Sequence, residues 1–333
     1  HDYEPYSTKR DAEVDSLLCS KEIKFNTFKD QVIFEKNEVV KPDGRPYSIY
    51  TPYSKTWRAK FSPKDIEEFP LKEPQSNFHK FIASILTLDE IGFKKTGLSF
   101  PSKEIREDII QNYGNTRDIP SVDGTSRLSV HLRFGTVSTR KLVKQALKLN
   151  DVWLSELIWR EFFMMILYHY PDSALSSFKP DYDRIKWRNN EADFDAWCKG
   201  ETGFPIVDAG MRELNNTGFM HNRVRMITAS FLCKDLLIDW RWGERYFAEK
   251  LLDYEMSSNV GNWQWAAGTG CDAAPYFRIF NPASQQEKFD PELKYIKKWV
   301  PEYGNFGYPQ PIVDHKSARE RTLKAYKEAL GRS

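Results

Sequence analysis

DVWLSELIWREFFMMILYH, residues 151–169, is the run whose spacing decides between helix and strand. Val152, Glu156, Trp159 and Phe163 fall at i, i+4, i+7 and i+11, so on a helix they share one face, whereas on a strand they divide between two. A helix places a carboxylate on an aromatic stripe. Burial there raises the Glu156 pKa and lets it accept from a ligand N–H, or donate once protonated. An ion pair with a core arginine explains the same residue equally well.

Helical spacing recurs on both sides of this run. It predicts helices over 102–112, 127–149, 204–215, 219–235, 241–252 and 316–330, and no comparable series of β-branched runs follows residue 35. The body of the chain is therefore mainly α. Ahead of it, residues 8–20 have helical spacing and 22–34 carry two short β-type runs split by a polar turn, as at the end of an α/β unit. Residues 35–60 contain Pro-Asp-Gly and scattered Tyr and read as an ordered surface connection. Frequent Pro and Lys over 61–101 read as a linker.

Composition narrows the function. The 333 residues carry a formal charge of only +2 and no long uncharged apolar run, which excludes a membrane helix and expects a soluble protein. The first residue is not Met and no charged-then-apolar leader follows it, so a signal peptide is not expected and the chain reads as a fragment. Cys19, Cys198, Cys233 and Cys271 form no CxxC pair, and His131, His169 and His221 share no ligand spacing, so neither a metal nor a disulfide framework is expected. Aromatic residues make up 14% of the chain, enough for an aromatic core and an aromatic site together.

Three further stretches combine polar groups with apolar surroundings. DYEMSSNVGNWQWAAGTGCDAAPYFRIFNP, residues 253–282, mixes carboxylates, amides, two Trp one residue apart, a Gly-rich turn and an Arg, and reads as the wall of a cofactor site. Its GTGCDAAP segment is neither GxGxxG nor a P-loop. Gly124, Thr125, Ser126 and Ser129 stand at a predicted helix start, where hydroxyls and backbone N–H groups suit either a phosphate or ordinary capping. In TGFMHNRVRM, Arg223 and Arg225 are two apart and face different ways, one toward solvent or phosphate and one inward, where Asp253 suits it as partner.

WLSELIWREFF, TGFPIVDAGMRELNNTGFMHNRVRMITASFLCKDLLIDWRWGERYF and NWQWAAGTGCDAAPYFRIFNP closely resemble the photolyase/cryptochrome flavoproteins, most nearly the class I cyclobutane pyrimidine dimer photolyases. The resemblance is densest over 113–303. It implies an all-helical FAD-binding domain over 102–333, an interdomain linker and the start of the helical domain over 36–101, and, over 1–35, the remnant of an α/β (Rossmann-like) antenna domain. It favours the phosphate role over capping, with Tyr113, Thr125, Ser126, Arg127, Leu128 and Ser129 holding the FAD phosphates. Asp253, Tyr254 and Glu255 lie along the cofactor, Asp253 pairs with Arg225, and Asn259 faces flavin N5. Where relatives commonly carry Asp, position 255 is Glu.

The same resemblance implies a substrate site. Glu156 and Asn222 meet the base edges, Trp159 and Trp265 wall the lesion with Met226 nearby, and Arg117, Arg223, Arg278 and Gln285 grip the DNA backbone. Phosphate contacts position rather than specify, and three of them predict a salt slope of roughly −3. Flipping the lesion out of the duplex is established behaviour of photolyases, and a damaged pair is the cheaper one to extrude. Trp187, Trp240 and Trp263 match the family's electron-carrying chain of indoles. The implied function is light-driven repair of pyrimidine dimers in DNA by reduced FAD, which needs no nucleophile or metal. The alternative is a cryptochrome that signals through flavin photoreduction. The expected setting is a cytoplasmic monomer with DNA as its partner, an antenna pigment whose identity the sequence does not give, and an N-terminal segment that is missing or separate.

Overall fold

The computed structural model describes residues 1–67 and 84–331, and among these no strand forms. Pro5–Cys19 (α1) and Tyr50–Lys60 (α2) come first, followed by Glu107–Thr116 (α3), Ser129–Arg133 (α4), Thr139–Leu149 (α5) and Asp151–His169 (α6). The remaining helices are Glu191–Lys199 (α7), Pro205–Thr217 (α8), Asn222–Ser230 (α9), Trp240–Lys250 (α10), Met256–Ala267 (α11), Pro282–Phe289 (α12), Lys294–Trp299 (α13) and His315–Ala329 (α14).

The β-type runs of 22–34 are the clearest departure from the sequence expectation. Strands need a partner, and here the backbone N–H groups of Ile33 and Phe34 donate to the Glu161 carboxylate at 2.5 and 3.2 Å, not to another strand. Trp57 Nε1 donates to the same carboxylate at 2.6 Å. The segment is thereby strapped to α6. The connection expected over 35–60 also changes: Tyr53 and Trp57, four apart and each 1% exposed, bury one face of α2 against α6. Of the linker expected over 61–101, residues 68–83 lie outside the described residues.

The helix expected over 127–149 is two helices. Gly135 takes φ 62° between them, and the Ser138 hydroxyl then caps α5 by accepting from the Lys141 N–H. The helix expected over 219–235 begins at Asn222, because the His221 ring accepts from the Arg223 N–H, and it widens into a π turn over Phe231–Asp235. α11 falls inside the stretch read as a cofactor wall and has no counterpart in the sequence expectation. Its five polar residues and Gly261 hide the helical period, yet Glu255 caps it with both carboxylate oxygens on the Ser257 and Ser258 N–H groups at 2.9 Å.

α6 stands at the centre. Asn150 caps its start at 3.1 Å from the Trp153 N–H, and α2, α3 and α5 pack on it around a core that includes Trp57, Phe162 and Leu154. A second core gathers α7 to α11 around Trp197, Trp240 and Trp263. α6 and α11 meet where Gly261 lies under Phe163: a Cβ on residue 261 would sit 2.2 Å from the Phe163 ring. Only glycine permits that approach.

Candidate functional site

One cavity opens beside the α6–α11 contact and a second adjoins it through Asp253. The first, about 440 Å³, has Glu156, Trp159 and Phe163 of α6 on one side and Asn259, Trp263 and Trp265 of α11 on another. The face predicted for α6 is therefore the face that lines the cavity, Val152 apart. Asn222, Arg225 and Met226 of α9 close a third side, and Asp253, Tyr254 and Glu255 enter from the turn before α11. The second cavity, about 460 Å³, is lined by Thr125, Ser126, Arg127 and Ser129, with Thr217 to Phe219 opposite. Arg127 holds φ 51°, an uncommon conformation for a side-chain-bearing residue.

Asp253 belongs to both cavities. Its two carboxylate oxygens accept from Arg225 Nη2 at 3.1 and 3.0 Å, the pairing expected from sequence. Arg225 Nε donates to the Met220 carbonyl at 2.8 Å, which fixes the guanidinium and so the partition between the cavities.

Glu156 lines the first cavity and also pairs with Arg117, the ion-pair alternative for this carboxylate. Burial pushes its pKa up and the Arg117 charge opposes this; burial prevails. Arg117 stands over the Tyr113 ring, 5.3 Å from its centroid, and lines the cavity. Arg223 is turned away from Arg225 and binds Asp118 at 2.7 Å, its guanidinium over Phe289. Neither arginine is free in this form.

Asn259 lines the cavity and donates through Nδ2 to the Glu244 carboxylate at 2.9 Å and to the Glu244 carbonyl at 3.1 Å. Burial raises the Glu244 pKa, opposed by the Asn259 hydrogen bond. Arg160, pushed down by burial, donates to Gln31 at 2.5 and 3.1 Å and joins the cavity wall beside Glu255. Trp159 stacks face to face on Tyr50, with centroids 3.6 Å apart. Glu244, Arg160 and Tyr50 escaped the sequence reading. Arg160 and Glu244 stand on predicted helices with nothing local to mark them, and Tyr50 stood in an expected connection.

Several predicted residues stand apart from both cavities. Tyr113 and Leu128 are buried in the α6 core and line neither cavity. Trp240, 1% exposed, shares a core with Trp263, and Gly243 lets α10 lie against the Trp263 ring. Trp187 sits at the border of that core, edge-on to Tyr326 at 6.0 Å. Arg278 is exposed over Phe280, and Gln285 is half-buried on α12. No group of metal ligands occurs among the described residues, and no described helix is long and apolar enough to cross a membrane.

Comparison with known proteins places this geometry. The family described as the FAD binding domain of DNA photolyase matches residues 153–307, and that described as DNA photolyase matches 1–75. A deoxyribodipyrimidine photo-lyase of Escherichia coli (strain K12) is 40% identical over 99% of this chain and 77% of its own length. The crystal structure of a bacterial class III photolyase from Agrobacterium tumefaciens superposes with TM-score 0.88 at 34% identity, covering 99% of this chain and 78% of that one. An archaeal photolyase from Sulfolobus tokodaii, solved with two FAD molecules, gives TM-score 0.81 at 36% identity over 98% of this chain and 77% of that one. By identity, coverage and shared fold alike, this chain belongs to the photolyase/cryptochrome family.

Proposed function

We propose that this chain is a light-driven DNA-repair lyase that uses FAD to split cyclobutane pyrimidine dimers. One observation carries the reading: an indole-walled cavity and a hydroxyl-lined cavity meet at a single ion pair, Arg225–Asp253. A dinucleotide flavin asks for both environments, a slot for flat rings and a polar cradle for phosphates. The residues fit it. Thr125, Ser126, Arg127 and Ser129 would hold the phosphates, while Asp253, Glu255 and Asn259 would line the ring systems. When bound, reduced FAD supplies the photoexcited electron that opens the dimer and takes it back.

What the chain itself does is position and insulate. Trp159 and Trp265 offer flat apolar faces to extruded bases, and Tyr50 behind Trp159 keeps that indole from turning. Glu156 and Asn222 sit where base edges would enter, the former able to accept an N–H as carboxylate or to donate when protonated. Asn259 holds one amide orientation because Glu244 takes its N–H groups, and its free amide oxygen would be the group available to the flavin. Arg117, Arg223, Arg278 and Gln285 take backbone phosphates, the first two after leaving Glu156 and Asp118. Trp263, Trp240 and Trp187 carry electrons inward when the flavin is oxidised. Retention of both indole walls favours repair over signalling.

The finer divisions belong to the same proposal. Residues 1–35 are the end of an α/β antenna domain, 36–101 the connection and start of the helical domain, and 102–333 the catalytic domain; the match of residues 1–75 to the family described as DNA photolyase supports a photolyase N-terminal part. The protein acts as a cytoplasmic monomer. Repair is tested by illuminating flavin-loaded, reduced protein with blue light on thymine-dimer DNA. Restored thymines are expected; none with reduced flavin present overturns the reading.

A further inference from the structure

Lys234 is 1% exposed, and among the described residues no carboxylate lies within ion-pair distance of it. Such an ammonium is costly to bury, and burial pushes its pKa down to about 7. Its hydrogen bonds go to two main-chain carbonyls. Nζ donates to Ala267 at 2.7 Å and to Tyr276 at 3.2 Å, and it lies 3.9 Å from the centroid of the Tyr326 ring.

Both acceptors belong to one device. Ala267 is the last residue of α11, two beyond Trp265, and the helix stops there because Gly268 takes φ 83°. The Ala267 carbonyl, at the negative end of that helix, receives Lys234 and also the Tyr326 hydroxyl at 2.7 Å. Tyr276 is the anchor of the loop that follows: its carbonyl meets Lys234 and its ring stacks on Tyr326 at 5.7 Å. Next in sequence come Phe277, 60% exposed, and exposed Arg278.

The lysine is itself braced. It sits in the π turn after α9, whose carbonyls cannot all be met within the turn. Thr322 donates to the Lys234 carbonyl and Arg321 to the Asp235 carbonyl at 2.5 Å, so α14 secures the turn from outside. The path from α14 through the π turn to the loop runs through buried and part-buried contacts.

We infer that Lys234 is a positioning residue that locks the end of α11 to the 268–281 loop, presenting Phe277 and Arg278 as a rigid edge for DNA. This rests on the repair reading for the identity of the ligand, while the lock itself rests on the hydrogen bonds alone. Were the lysine kept for stability, an apolar side chain of the same length would serve better in that setting.

The test uses the full flavin-loaded chain with K234M, and Y326F as a second variant that removes one donor to Ala267 but keeps the ring. In K234M, tryptic cleavage after Arg278, followed by mass spectrometry, is expected to quicken about tenfold, and KM for thymine-dimer DNA to rise about tenfold with kcat within twofold. Flavin content and melting temperature hold or improve. Y326F moves the same readouts the same way by less. Unchanged cleavage and KM in both variants overturn the inference, and so does loss of flavin or a lower melting temperature in K234M. Wild-type protein that repairs nothing overturns the repair reading and leaves the proteolysis arm standing.

Discussion

The two cavities on either side of Arg225–Asp253 are built in different ways. The first is walled by helices: α6, α9 and α11 each contribute residues one turn apart, so its chemistry is carried by rigid elements whose relative placement the cores fix. The second is walled mostly by turns, with Thr125 to Arg127 ahead of the five-residue α4 and Gly218 at the end of α8. Helix walls suit a reaction that depends on orientation. Turns suit phosphate, which asks for many donors and little shape.

Removing the shared wall should have the largest effect. Asp253→Asn strands the Arg225 charge and is expected to weaken flavin binding about 100-fold, on the order of 2–3 kcal/mol, as read by flavin retention on dialysis. A loss under tenfold would mean the cavities are independent. Trp265→Ala should act on the first cavity alone, raising KM for dimer DNA about 10- to 100-fold from ~1–3 kcal/mol of lost stacking while flavin stays bound. Lost flavin in that variant would instead place Trp265 in the cofactor wall. Ser126→Ala should act on the second cavity alone: about fivefold weaker flavin affinity, near ~1 kcal/mol, with dimer affinity of the loaded protein unchanged.

The smallest effect is expected outside both. Glu161 stands on α6 but faces the 31–34 strap, and burial pushes its pKa up to about 7 against three N–H donors. A carboxyl raised from its unfolded value contributes stability that is full below that value, near 4.5, and is lost as pH rises through about 7. Melting temperature should therefore fall by roughly 5 °C between pH 5 and 8. Glu161→Gln should flatten that slope without altering flavin or DNA binding. An unchanged slope would show that another group governs it.

Legibility followed the same division. The α6 face could be read because a single period carries it, and Arg225–Asp253 because two charges in apolar surroundings need each other. α11 could not: its Asn and Gly residues argue locally for a turn, and only Glu255 capping and burial against α6 make it a helix. The strands expected in 22–34 failed for the opposite reason. Val32, Ile33 and Phe34 have strand-like side chains and are buried, but a carboxylate 128 residues away from Ile33 takes the backbone donors that a neighbouring strand would have used. The pairing of Arg117 with Glu156 is likewise long-range, 39 residues apart, and the resemblance gave each a role without foreseeing that they engage one another.

Gly261 has a consequence of another kind. It does not face the first cavity, yet it sets how near α11 comes to Phe163 and so how far apart the opposed indoles stand. A methyl at that point would act as a shim, prying the slot wider without changing any group inside it. The gauge of the slot is thus a missing atom, at a residue that does not line it.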